Sequence, residues 1–169
     1  MKIFRLLLRV TIGALFVGHG SQKLFGWFGG GGLKATAAGF DQMGMRPGLA
    51  NAIAAGTAEA GGGALVAAGF LTPLGSASII GTMLTAIHRV HLQNGPWVTK
   101  GGYEYNLVLI LTLITLVEVG PGPVSLDALK GQERKGDLWA LASLAVGGAG
   151  AAAAHFASAA LAPAPPEQS

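Results

Sequence analysis

An all-α membrane bundle is the fold class this chain predicts, and three observations carry it. Five apolar stretches, centred near Leu15, Ala60, Met83, Ile110 and Gly148, are separated by Gly, Pro and charge-bearing breaks. Each approaches the roughly 20 residues a helix needs to cross a bilayer core. Of the 169 residues, 51% are hydrophobic and only 11% charged, whereas soluble domains carry about 25% charged residues. The apolar runs are continuous rather than alternating with period two, which selects helices over barrel strands.

The first helix is predicted from about Ile3 to Gly20, with Lys2, Arg5 and Arg9 at its start. Arg9 interrupts the apolar run and no small-residue cleavage pattern follows, so the segment reads as a retained signal anchor rather than a signal peptide. The aromatics of Leu24-Phe25-Gly26-Trp27-Phe28 suit a headgroup interface, and the glycines from Gly29 to Gly32 break any helix. Leu33, Ala37, Phe40 and Gly44 then recur at helical spacing opposite Lys34 and Asp41, predicting a short interfacial helix that ends near Arg46-Pro47. A second crossing helix covers about Leu49 to Leu71 and contains Glu59. Thr72-Pro73 turns the chain into a third, from about Leu74 to Leu92, which closes with His88, Arg89 and His91. Gly101-Gly102-Tyr103-Glu104-Tyr105-Asn106 opens a fourth that runs to Val119.

Residues 120–137 read as a polar cytoplasmic linker, 138–161 as a fifth crossing helix with His155 alone in it, and 162–169 as a disordered tail. With the N-terminus inside, Lys2, Arg5, Arg9, Lys130, Arg134 and Lys135 fall on the cytoplasmic side. This satisfies the positive-inside tendency. The expected arrangement is therefore a multi-pass membrane protein with its N-terminus cytoplasmic.

Composition also excludes chemistry. The chain has no cysteine, which removes thiolate catalysis, disulfide exchange, Cys-bound zinc and Cys-held iron–sulfur clusters from this chain. A net charge of +3 comes without a basic run, and the Lys and Arg residues sit at helix ends as topology signals and lipid anchors do. Nucleic acid is not an expected partner; membrane lipids are. The 28 glycines suit helices that pack closely in a bilayer. The Gly29–Gly32 run follows no strand, so a dinucleotide-binding reading fails.

The predicted topology gathers polar residues at the outer leaflet. His19, Gln22 and Lys23 end the first helix, His88, Arg89 and His91 end the third, and Glu104, Tyr105 and Asn106 open the fourth. Ionisable groups at membrane depth are costly and face a bundle interior, a cavity or one another. His88 and His91, three apart, are expected to share a helix face. Glu59 is the sharpest single position, because a charge at mid-helix costs about 2.5–3.5 kcal/mol to insert. These residues are the candidate ligand-binding set: His19, Gln22, Lys23, Glu59, His88, Arg89, His91, Glu104 and Tyr105. No catalytic residue and no metal site is assigned. Axial ligation of haem by His19 and His88 is chemically allowed, but four histidines scattered over three helices are too thin a signal to expect it.

The segment Gly18-His19-Gly20-Ser21-Gln22-Lys23-Leu24-Phe25-Gly26-Trp27-Phe28-Gly29-Gly30 closely resembles the first-helix signature of the DoxX family. Glu59-Ala60-Gly61-Gly62 with Leu65 and Gly69 is similar to that family's second-helix pattern, and Gly101 to Asn106 to its fourth-helix opening. The resemblance covers about Met1 to Val119 and implies a four-helix unit, to which the fifth helix is an addition. It implies a small bacterial inner-membrane protein. Relatives are described as the membrane subunit of a thiosulfate:quinone oxidoreductase, or as part of a complex with superoxide dismutase and a sulfurtransferase. The expectation is a subunit associated with an oxidoreductase complex that binds quinone or docks redox partner enzymes. A non-catalytic scaffold and a small proton-coupled transporter are the alternatives, and a homo-oligomer is left open.

Overall fold

The computed structural model describes residues 2–161. The expected disordered tail at 162–169 lies outside the described residues. Within them the chain is helical, with no strand. The helices are α1 (Lys2–Phe25), α2 (Gly32–Gln42), α3 (Gly48–Ala68), α4 (Thr72–Ala86), α5 (Glu104–Val119), α6 (Leu126–Leu129) and α7 (Asp137–Ala160). A π turn, Ile87–His91, continues α4 without a break and passes into a 3₁₀ turn at Leu92–Asn94. Of these, α1 and α7 are long and apolar enough to cross a membrane.

Glycine sets the closest approach. Helices α1 and α3 run antiparallel, with Gly13 against Gly63 and Ala67, and Gly20 against Gly56 and Ala60. A Cβ on either α1 glycine would sit 2.5 Å from a backbone oxygen and a backbone nitrogen of α3. No larger residue fits there without parting the helices. In a bilayer such backbone contact replaces the hydrophobic drive that water would supply. This packing also explains why α1 runs on to Phe25 rather than stopping at Gly20: Gly20 is a buried contact residue, not a terminator.

Helix α3 ends on left-handed Gly69, φ 61°, and the Phe70 amide reaches back to the Leu65 carbonyl, the 6→1 closure of a Schellman motif. Its partner α4 starts two residues earlier than its hydropathy suggests, at Thr72, with Pro73 in the first turn. The start is fixed from a distance. Asp127, on the short helix α6, accepts from the Leu71 amide (2.9 Å), the Thr72 amide (3.1 Å) and the Thr72 hydroxyl (2.9 Å). Arg9 lies beside it and donates to the Val66 (3.2 Å), Ala67 (2.6 Å) and Val124 (2.6 Å) carbonyls. Orphan carbonyls at the end of α3 are thereby satisfied. Segment 120–136 is thus seated on the bundle's end by these bonds.

Helices α4 and α7 run parallel. Ser143 bonds the Pro73 carbonyl at one end, Gly147 lies against Gly81 in the middle, and His155 meets Arg89 at the other. Helix α5 closes the group, and Ile12, Phe16, Val66, Ile79, Ile80, Ile110, Leu113 and Leu116 form the shared core. Short helix α2 covers the far end of α3, where Phe40, Met45 and Ala52 make a second cluster reached by Ala154 of α7. The outside is apolar as well: Phe4, Leu7, Val108, Leu111, Leu138 and Leu141 are all exposed.

Candidate functional site

The five long helices leave a cavity of about 600 Å³ at the α2 end of the bundle. Leu15 and Phe16 of α1, Leu74 and Ala77 of α4, Leu109 of α5 and Val146 of α7 give it apolar walls. From Leu74 to Arg89 the lining follows α4 and the π turn that continues it over 15 residue steps, about 22 Å at the helical rise. The polar groups collect toward one end: His19, Lys23, Glu59, Arg89, His91, Tyr105 and Asn106.

The centre of that end is an ion pair. Lys23 Nζ donates to Glu59 Oε2 at 2.5 Å across the α1–α3 interface. Glu59 is buried and Lys23 about a third exposed, so the lysine reaches the carboxylate from the rim. The glycine contact at Gly20 and Gly56, one turn away from each, sets the spacing that lets them meet.

Histidine 19 is oriented by a chain of two bonds. Gln22 Nε2 donates to the Phe28 carbonyl (3.2 Å), which fixes the amide, and Gln22 Oε1 then lies 3.1 Å from His19 Nδ1. An amide oxygen only accepts, so Nδ1 carries the hydrogen and Nε2 is left as the free atom. Left-handed Phe28, φ 52°, turns its carbonyl back toward α1. Gln22 therefore serves His19 rather than lining the cavity itself.

The π turn changes the third-helix set. Its i→i+5 bonding places more residues in one turn than an α-helix does. His88 and His91 therefore do not share a face as an α-helical spacing of three would give. His91 lines the cavity and its Nδ1 lies 2.7 Å from the Gly101 carbonyl. His88 instead packs edge-on against His155, ring centroids 4.8 Å apart. His19 and His88, the pair weighed for haem, are thus engaged in different places. Among the described residues no three His, Asp or Glu side chains are placed to share a metal ion.

Arg89 lines the cavity, and its Nη2 lies 2.9 Å from His155 Nδ1. Glu104 does not enter the cavity lining: its Oε1 accepts from the Val98 amide at 2.7 Å and closes the loop before α5. Tyr105, next to it, does line the cavity. The structure so brings together His19, Lys23, Glu59, Arg89, His91 and Tyr105, and sets Gln22, His88 and Glu104 beside them in supporting positions.

Asn106, read in the sequence as part of the polar opening of the fourth helix, is buried, with Nδ2 donating to Met83 Sδ at 3.3 Å. His155 escaped sequence reasoning as a site candidate, because its companions lie 66 and 67 residues away. The Thr82 and Thr85 hydroxyls also line the cavity but are spent on carbonyls of their own helix.

No curated protein and no solved structure matches this chain. The model of one family, DoxX, matches residues 4–92. That stretch holds α1 to α4 and the π turn, and with them His19, Lys23, Glu59, Arg89 and His91. It covers more than half of the sequence, and the chain belongs to the DoxX family of membrane proteins.

Proposed function

We propose that this chain is a five-crossing protein of a bacterial inner membrane, N-terminus inside, whose cavity takes a quinone headgroup in service of an oxidoreductase complex. The alternating directions of α1, α3, α4, α5 and α7 support the crossings. The run Thr72–Asn94 is continuous through its π turn, and α3 has 21 residues, about 32 Å at the helical rise. The exposed apolar side chains around the bundle are what lipid contact requires and what a water-soluble surface avoids.

The observation that carries the quinone reading is the shape and polarity of the cavity. An apolar cavity lined along about 22 Å of helix ends in a few convergent donors and acceptors, the arrangement an isoprenoid tail and a dicarbonyl ring need. A bound quinone would supply two-electron, two-proton redox chemistry. The chain's residues hold and orient it. Lys23 Nζ and Arg89 donate toward ring oxygens, His19 Nε2 accepts a hydroxyl hydrogen, and the Glu59 carboxylate holds the Lys23 ammonium at the slot. Membership in a family often linked to oxidoreductase function agrees with this assignment.

The test is extraction of the full chain in native nanodiscs, with quinone quantified by mass spectrometry in wild type, His19→Ala and Glu59→Gln. Near-stoichiometric quinone that is lost in both folded variants is the expected result. Quinone no higher than the lipid background in wild type refutes the site and moves the function to a scaffold for partner enzymes.

A further inference from the structure

Arg89 stands out among the charged residues of the cavity. Neither ion pair among the described residues includes it: Lys23 pairs with Glu59, and Lys135 with Glu133. Its one described partner is a neutral ring, through Nη2 and His155 Nδ1 at 2.9 Å. A guanidinium only donates, so Nδ1 must be the bare acceptor nitrogen and His155 carries its hydrogen on Nε2. Its Nε is enclosed without a partner, and Nη1 donates to no described residue while the side chain lines the cavity. His155 is itself steadied from two sides, by His88 at 4.8 Å and Phe156 at 5.3 Å between ring centroids. It sits on α7, which lies wholly outside the segment matched to the family.

The geometry points to His155 as a positioning residue: by holding Nη2 it turns Nη1 of Arg89 to an acceptor oxygen on the headgroup of the cavity's ligand. Helix α7 is then a working wall of the site and not an appended anchor. The π turn contributes, since it carries Arg89 to the α7 side while His91 stays in the cavity. A carbonyl-bearing ring satisfies the free donors; a headgroup offering only donors leaves a cation with nothing to bind. That the ligand is a quinone rests on the reading above, whereas the hold on Arg89 does not.

Three measurements on the full chain in nanodiscs decide it. The first is binding of a decyl-substituted benzoquinone to wild type, His155→Ala and His155→Gln. The alanine variant loses about tenfold or more in affinity, the worth of a hydrogen bond to a charged group. The glutamine variant, whose amide oxygen accepts from Arg89, stays within about threefold of wild type. Equal weakening of both folded variants, or none in the alanine variant, overturns the inference. The second needs no quinone: phenylglyoxal modification of Arg89, read by mass spectrometry, is slow in wild type and His155→Gln and fast in His155→Ala. Unchanged labelling overturns the inference even where benzoquinone fails to bind, an outcome that by itself sinks only the quinone reading. The third uses wild type alone and so survives a variant that does not fold. Nitrogen NMR of the four histidines finds His155 with hydrogen on Nε2, and a hydrogen on Nδ1 refutes the arrangement.

Discussion

Replacing Asp127 by alanine tests how the α3–α4 turn is held. The carboxylate is 1% exposed and accepts three hydrogen bonds from Leu71 and Thr72. Thr72 is fully buried, so its amide and hydroxyl would each lose an acceptor with no water to replace it. A buried donor left unsatisfied costs about 1–3 kcal/mol. The Leu71 amide is half-buried and water recovers most of its bond. Asp127 is also the carboxylate whose charge acts on buried Arg9, and losing that compensating charge adds to the loss. The total is about 4 kcal/mol, which for a chain of this size corresponds to about 10 °C in Tm. The assay is circular-dichroism melting in one detergent, with three variants beside wild type. Asp127→Asn, which keeps one acceptor oxygen, is expected to lose about half as much as alanine. Adding Thr72→Val to Asp127→Ala removes one orphaned donor and should recover about 1 kcal/mol. An Asp127→Ala protein that melts within 2 °C of wild type, or a double variant less stable than the single one, refutes the capping argument.

Four further substitutions test the packing and the ion pair. Gly20→Leu places a Cβ 2.5 Å from α3 backbone atoms and should cost about 3 kcal/mol or more, read as a lower Tm. Gly18→Ala meets nothing within 4 Å on the same helix and should gain about 0.5–1 kcal/mol from helix propensity. Lys23→Met strands the buried Glu59 carboxylate and should cost about 3 kcal/mol. Glu59→Gln leaves a lysine already a third exposed and should cost about 1 kcal/mol; equal melting losses for the two would show that the pair is not what keeps Glu59 buried.

The sequence made the helices legible because hydropathy and length are local properties. It made the polar end of the cavity legible in part, since His19, Lys23, Arg89, His91 and Tyr105 all stand at or near predicted helix ends. Helix boundaries were less readable where a distant residue decides them. Thr72 opens α4 because Asp127 caps it from 55 residues away, and no local pattern records that. Gly20 stands at the end of the first helix as the sequence predicts it and is in the structure a contact surface inside a longer helix. Glu104 sits among polar neighbours in sequence, yet its carboxylate closes the Val98 turn. The separation of His88 from His91 depends on a change of helix type, which residue spacing alone does not report.

The π turn at Ile87–His91 has a consequence for insertions and deletions. Such a turn holds one residue more than an α-helix would between the same ends. Losing a single residue from it would restore regular α-helix without shortening the path to the Gly101 loop by more than about 1.5 Å. Everything beyond the deletion would keep its place, and only the residues inside the turn would be redistributed around the helix, changing which of them faces the cavity. Relatives that differ by one residue here would share the same helices and the same outer surface, and would present a different set of side chains to whatever enters the slot.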